Sequence, residues 1–287
     1  MKALPTIFLT LLLLTVGCNG EEPSPTEEFP TAAEITAELE AANDFAPDHR
    51  ISPWNWTQSP VVSLEDPELY LGFSFTNSTD EAIGANELWG SSRLTLRLAH
   101  APDYLLNIPL MEMMDDGEIS DGLSPGEQET MVGDVALVAT FEEKGLYHLG
   151  WETPFGQSIF GIIALPEMEY LLYRLDSDPA YNSWGLYMYG EDGVVMNGLG
   201  RRTIDLGEAM LPDLIERLDD ERECFIEGSE EATIGSMYAH RVCDYAAIMI
   251  ARIARLEVPE LRGRSAVARQ PGIEVVREWC DQLYGPE

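Results

Sequence analysis

His240, Cys243 and Asp244 are the one cluster in this 287-residue chain that sets a nucleophile beside a base. On a helix, His240 and Asp244 share a face at i and i+4, with Cys243 three residues after His240. A Cys–His pair steered by a carboxylate could carry thiolate chemistry. Against it stands a structural cysteine beside a helix-surface histidine. Met111, Met113 and Met114 could offer thioethers to copper, but methionines this close point to different faces of a strand and fit a core edge better. Asp115, Asp116, Glu118 and Asp121, and separately Asp176 and Asp178, could supply oxygen to calcium. The first group misses the EF-hand register, because Gly122 would place Gly117 at the first ligand position. Both groups read as turns, and no metal or cofactor is assigned. Trp54 and Trp56 precede the first strand and are the tryptophans expected to be exposed, as a platform for sugar or peptide. Trp89, Trp151 and Trp184 are expected in the core. No G-x-S-x-G, H-E-x-x-H, P-loop or G-x-G-x-x-G occurs.

The elements that would carry these residues begin with an address. Lys2 is followed by a ten-residue, mainly apolar run, Ile7 to Val16, and then Gly17-Cys18. A membrane-crossing helix needs about twenty apolar residues, so the run reads as the apolar segment of a signal peptide. Its end resembles the lipobox of bacterial lipoproteins, with Gly17 before the cysteine, Thr15 where leucine is usual and Leu14 displaced by one. The resemblance implies a lipoprotein signal over residues 1–18, cleaved before Cys18, which is acylated as the new first residue and anchors the chain in the membrane. With Asn19 and not aspartate after the cysteine, it further implies the outer membrane, facing periplasm or exterior. Residues 19–50 read as a disordered, Pro- and Glu-rich tether with one short helix, Thr31 to Phe45, whose Thr31 and Glu34 form a capping box.

Charge excludes some partners. The chain has 51 acidic and 17 basic residues, a net of −34, and its only lysines are Lys2 and Lys144. Such a surface repels nucleic acid and anionic lipid. Residues 51–200 hold 24 acids and four bases, whereas residues 201–287 hold 18 acids and 11 arginines, a shift that supports a boundary near 200.

Short apolar runs separated by turn clusters fill residues 51–165: Val61–Leu64, Leu69–Phe75, Leu94–Leu98, Leu105–Leu110, Val135–Phe141, Leu146–Trp151 and Ile159–Leu165. Leu94, Leu96 and Leu98 alternate with polar residues, as in a half-buried strand. Phe73-Ser74-Phe75-Thr76-Asn77, Ser124-Pro125-Gly126-Glu127 and Gly145-Leu146-Tyr147, in that order, resemble bacterial immunoglobulin-like domains. The nearest pattern is the intracellular proteinase inhibitor family. The resemblance implies an antiparallel β-sandwich over 51–165 and carries over no inhibitory residue.

Residues 166–200 read as a β-meander, with strands at Tyr170–Leu175 and Ser183–Tyr189 and a hairpin turn at Asp192-Gly193. Residues 201–287 read as helical, with apolar stripes over 206–218, 230–257 and 272–284; Asp244–Ile250 is open between helix and buried strand, its alanines and arginines favouring helix. If these three helices pack antiparallel, Cys243 and Cys280 are the pair best placed for a disulfide, Cys224–Cys243 being the runner-up. The fold is thus expected to be α+β. The function expected is a lipid-anchored, non-enzymatic binding module of the cell envelope. Its partners would be the membrane, through the anchor, and another envelope protein or a glycan. The rival is an exported hydrolase or thiol enzyme using Cys243 and His240.

Overall fold

The computed structural model describes residues 30–54, 60–112, 121–177, 184, 198–224 and 238–285. It begins on helix α1 (Ala32–Ala42), capped as the sequence predicts. The Thr31 hydroxyl accepts from the Glu34 N–H at 3.3 Å, and the Glu34 carboxylate accepts from the Thr31 N–H at 2.8 Å. The helix is not a bead on a tether. Ile35 and Leu39 are buried, and the helix rides close over Gly161, where a Cβ would come within 2.9 Å of Ala42.

The described residues between His49 and Leu165 fold mainly into sheets that are mostly antiparallel. Strands β1 (His49–Pro53), β3 (Tyr70–Thr76) and β8 (Gln128–Asp134) form one sheet in the order β1-β3-β8. A five-stranded sheet runs β2 (Val61–Ser63), β10 (Gly156–Leu165), β9 (Gly145–Thr153), β5 (Arg93–Leu98), β6 (Leu106–Pro109), with β2 parallel to β10. Strands β4 (Ile83–Gly84) and β7 (Gly122–Leu123) pair separately, beside the one-turn helix α2 (Ala85–Leu88).

Alternation makes one face of each larger sheet apolar, and those faces share a core. Ile51, Leu71, Phe73 and Phe75 come from one sheet, and Leu94, Leu96, Leu149, Trp151, Phe160 and Ile162 from the other. Trp151 is central. Trp89 stacks on it at 5.7 Å, and Phe73 meets it edge-on at 5.6 Å.

Two expectations about this half are corrected. Val135–Phe141 is no strand; Val135–Leu137 is a 3-10 turn that drops Val135, Ala139 and Phe141 into the core. The strand is β8, just before it, whose polar sequence hides it. Tyr170–Leu175 lies inside helix α3 (Glu167–Ser177), not in a meander. All six residues from Tyr170 to Leu175 are buried, so neither a period of 2 nor one of 3.6 shows in the sequence. Ser183, Gly185–Tyr189 and the Asp192-Gly193 turn lie outside the described residues.

The helical region contains α4 (Gly198–Leu206), α5 (Leu211–Glu216), α6 (Val242–Ile253) and α7 (Ala266–Tyr284). The expected helix over 206–218 is broken where Gly207 adopts φ 65° and a 3-10 turn intervenes before Pro212 opens α5. Asp244–Ile250 is helical. Among the described residues no helix is long and apolar enough to cross a membrane.

The helices join the sheets along β10. Ile163 and Leu165 leave the inter-sheet core and pack with Ile35, Tyr170, Leu171 and the helical apolar residues. A polar clasp closes the joint. Arg202 grips Glu167 through two hydrogen bonds of 2.6 Å, and the Ser63 hydroxyl donates to the same carboxylate at 2.5 Å. Burial would raise the Glu167 pKa, but the Arg202 and Ser63 hydrogen bonds outweigh it and hold the carboxyl below its usual range. We predict that Glu167→Gln, which breaks the charge pair and keeps the shape, lowers unfolding free energy by about 1–3 kcal/mol in urea titration.

Candidate functional site

Arg241 caps α6, and the Asp244 carboxylate reaches back to accept from the Arg241 N–H at 2.8 Å. The helix start is thereby fixed after His240, which stands outside α6. The expected i, i+4 face shared by His240 and Asp244 is therefore corrected, because Asp244 is spent on the cap. Asp244 is completely buried, as is Arg269 of α7, whose Nη2 donates to Asp244 Oδ2 at 2.9 Å. Arg269 also donates to the carbonyls of Gly263 and Ala239, both at 2.9 Å, and Arg241 Nε lies 3.3 Å from the same carboxylate. Burial alone would raise the Asp244 pKa, but the Arg269 and Arg241 hydrogen bonds hold it low.

His240 is 3% exposed and stacks on Tyr245 at 5.6 Å and on Tyr238 at 5.8 Å; Tyr245 in turn stacks on Trp184 at 6.3 Å. Burial, seconded by the Arg269 charge and opposed by Asp244, pushes the His240 pKa down to about 4. Burial, then the Asp244 charge, pushes the Cys243 thiol up to about 11. Both groups are thus neutral at pH 7, and the Cys243 N–H is held by the Asp220 carbonyl at 2.8 Å. Activated cysteines sit in electropositive, partly open surroundings; Cys243 sits in the opposite kind.

The expected disulfide is corrected. Cys224, Cys243 and Cys280 are free, buried thiols. The Cys243–Cys280 pairing assumed a long helix with Cys243 midway along it, facing the far half of the last helix. In fact α6 starts at Val242, and its first turn meets the first turns of α7 through Asp244–Arg269 and Arg241–Gln270. Cys280 lies eleven residues beyond Arg269, roughly 16 Å along the axis at 1.5 Å per residue. The runner-up pair, Cys224 and Cys243, is also unbridged.

Of the expected aromatic platform, Trp54 is described and Trp56 lies outside the described residues, as do Cys18, Asp115, Asp116 and Glu118; Asp121 is exposed at the edge of β7. Trp54 is 56% exposed. Its backbone N–H donates to the Tyr70 carbonyl at 2.9 Å, extending the β1–β3 register so that Trp54, Tyr70 and Asp134 form one row across the outward face of the sheet. The indole leans over Gly72, whose missing Cβ would stand 3.5 Å from Trp54 Cε3 and 3.5 Å from the Thr130 methyl. Tyr70 is 43% exposed. The next outward row is Ser52, Gly72 and Val132, and the one beyond it is Arg50, Ser74 and Thr130, with Ser74 and Thr130 sharing a hydrogen bond of 2.6 Å. Sequence reasoning found Trp54 and missed Tyr70 and Gly72. A glycine inside a strand is the signal that marks close approach of another group. It also missed Arg269, which nothing in the sequence ties to Asp244.

No family model matches the chain, and no curated protein matches it in sequence.

The His240 environment generates a pH prediction. The unfolded chain protonates this histidine near pH 6.5 and the folded chain only near 4, so stability falls as pH drops between those values, by roughly 3 kcal/mol. Burial also depresses His49 and His148, so the test is differential. His240→Phe, which keeps a ring in the stack, is expected to flatten that part of the stability–pH curve, measured by urea unfolding from pH 7 to 4.

Proposed function

We propose that this is a lipid-anchored protein of the bacterial cell envelope that binds a partner and performs no chemistry of its own. Acylated Cys18 holds it at the outer membrane. A Pro- and Glu-rich tether leads to an immunoglobulin-like sandwich made of the two larger sheets, and the helical region braces that sandwich from the far side of β10. The observation that carries the reading is a contrast in exposure. The nucleophile–base cluster is sealed inside the helical region with both groups neutral, whereas Trp54 and Tyr70 stand open on one sheet face. Burying a large aromatic is strongly favourable, so leaving two of them wet on adjacent strands fits a surface kept for a ligand. The lipobox-like end of the apolar run supports the anchor, and the apolar faces shared by the two larger sheets support the sandwich.

Two experiments test the parts separately. Cys18→Ser is expected to abolish partitioning into the detergent phase; a variant that partitions like the wild type removes the anchor. At neutral pH a thiol-reactive probe is expected to label native Cys243 far more slowly than in the unfolded chain. Rapid native labelling that is lost in His240→Ala would establish a thiol enzyme instead.

A further inference from the structure

We propose that the outward face of the β1–β3–β8 sheet binds a neutral oligosaccharide, an inference that rests on the binding-module reading and names its ligand class. A pyranose ring offers a patch of C–H groups on its face and a rim of hydroxyls that both donate and accept. Its binding surface therefore needs an open aromatic plane beside a flat polar floor with donors and acceptors at the edge. Trp54 supplies the plane, since one side of the indole is set on the Gly72 backbone and more than half of the residue is exposed. Tyr70, on the neighbouring strand, supplies a second ring. The short side chains of Thr130, which is exposed, and of Ser74, which is largely buried, keep the floor beyond Gly72 low.

The rim has both signs. Arg50 is exposed opposite Ser74, and Asp134 lies opposite Tyr70. Glu68 adds a second acid beside Tyr70, so this end of the face is net acidic and, with the net charge of −34, repels anionic saccharides; the saccharide is therefore an uncharged one. The same composition disfavours other occupants. An amphipathic helix would need a row of aliphatic side chains, and Val132, half-buried, is the only aliphatic residue among the outward positions of the three strands. An added β-strand would dock on an edge and not on a face.

The test is titration calorimetry of the mature chain with cellohexaose, maltohexaose and chitohexaose. At least one is expected to bind. Trp54→Ala is expected to weaken that affinity by roughly tenfold or more, as removal of a central aromatic contact does, with a smaller loss for Tyr70→Ala. Neither exposed side chain supports the core, so thermal unfolding is expected to be unchanged. Gly72→Leu, which fills the floor and lifts the indole, is expected to behave like Trp54→Ala. Binding of none of the three at millimolar concentration overturns the proposal, as does full affinity in Trp54→Ala. Sedimentation velocity and envelope crosslinking separate this failure from that of the parent reading. Trp54-dependent self-association, or a Trp54-dependent crosslink to an envelope protein, would replace the saccharide and leave a binding module. Absence of all three interactions removes both.

Discussion

From Phe160 to Leu165, strand β10 has water on neither side. Phe160, Ile162 and Ala164 face the core between the two larger sheets, while Ile163 and Leu165 face α1, α3 and the helices beyond them. Each fully buried aliphatic or aromatic side chain is worth about 1.5–3 kcal/mol relative to exposure, so a strand that spends both faces cannot be uncovered on either side without large loss. The rest of the architecture follows. The helical region is tied to the sheets because it is the cover for β10. The far end of the same face needs less cover, since β5 and β6 carry Arg93, Arg97 and Asn107 there. Of the two larger sheets, the face left open with aromatic side chains is the outward face of β1–β3–β8.

The Asp244–Arg269 pair answers a different need. Removing two charges from water costs more than a simple attraction returns, so a fully buried pair is weak evidence of added stability. What it supplies is position. One carboxylate caps α6, receives the Arg269 guanidinium, and through Arg269 ties the carbonyls of Ala239 and Gly263 to the start of α7. His240, wedged between tyrosines beside that positive charge, is held neutral. Groups that look catalytic as letters in a row are here the frame on which two helices meet.

Much of the fold was legible because local chemistry and tertiary fate agreed. Thr31 and Glu34 announce the start of α1, and the alternation at Leu94, Leu96 and Leu98 announces a strand with one wet face. Legibility ended where burial was uniform or absent. Tyr170–Leu175 is buried on all sides and lost its helical period, while β8 exposes Gln128 and Thr130 and has too little apolar character to be noticed. The expected disulfide fails on one helix boundary. A cap made by Arg241 and Asp244 moved the helix start and carried Cys243 away from Cys280. At the sheet face, Trp54 was readable as an aromatic outside the first apolar run, but its seat on Gly72 and its neighbour Tyr70 depend on strand register, and β1 itself carried no clear strand signal.

Whether this open face is occupied where the protein works is tested, whatever the ligand, by oxidative footprinting of tryptophan on intact cells. In purified protein Trp54 should be oxidised readily, while buried Trp89 and Trp151 stay silent. On cells, Trp54 is expected to become protected while Trp89 and Trp151 do not change. Oxidation of Trp54 to the same extent in both settings would contradict occupation of the face.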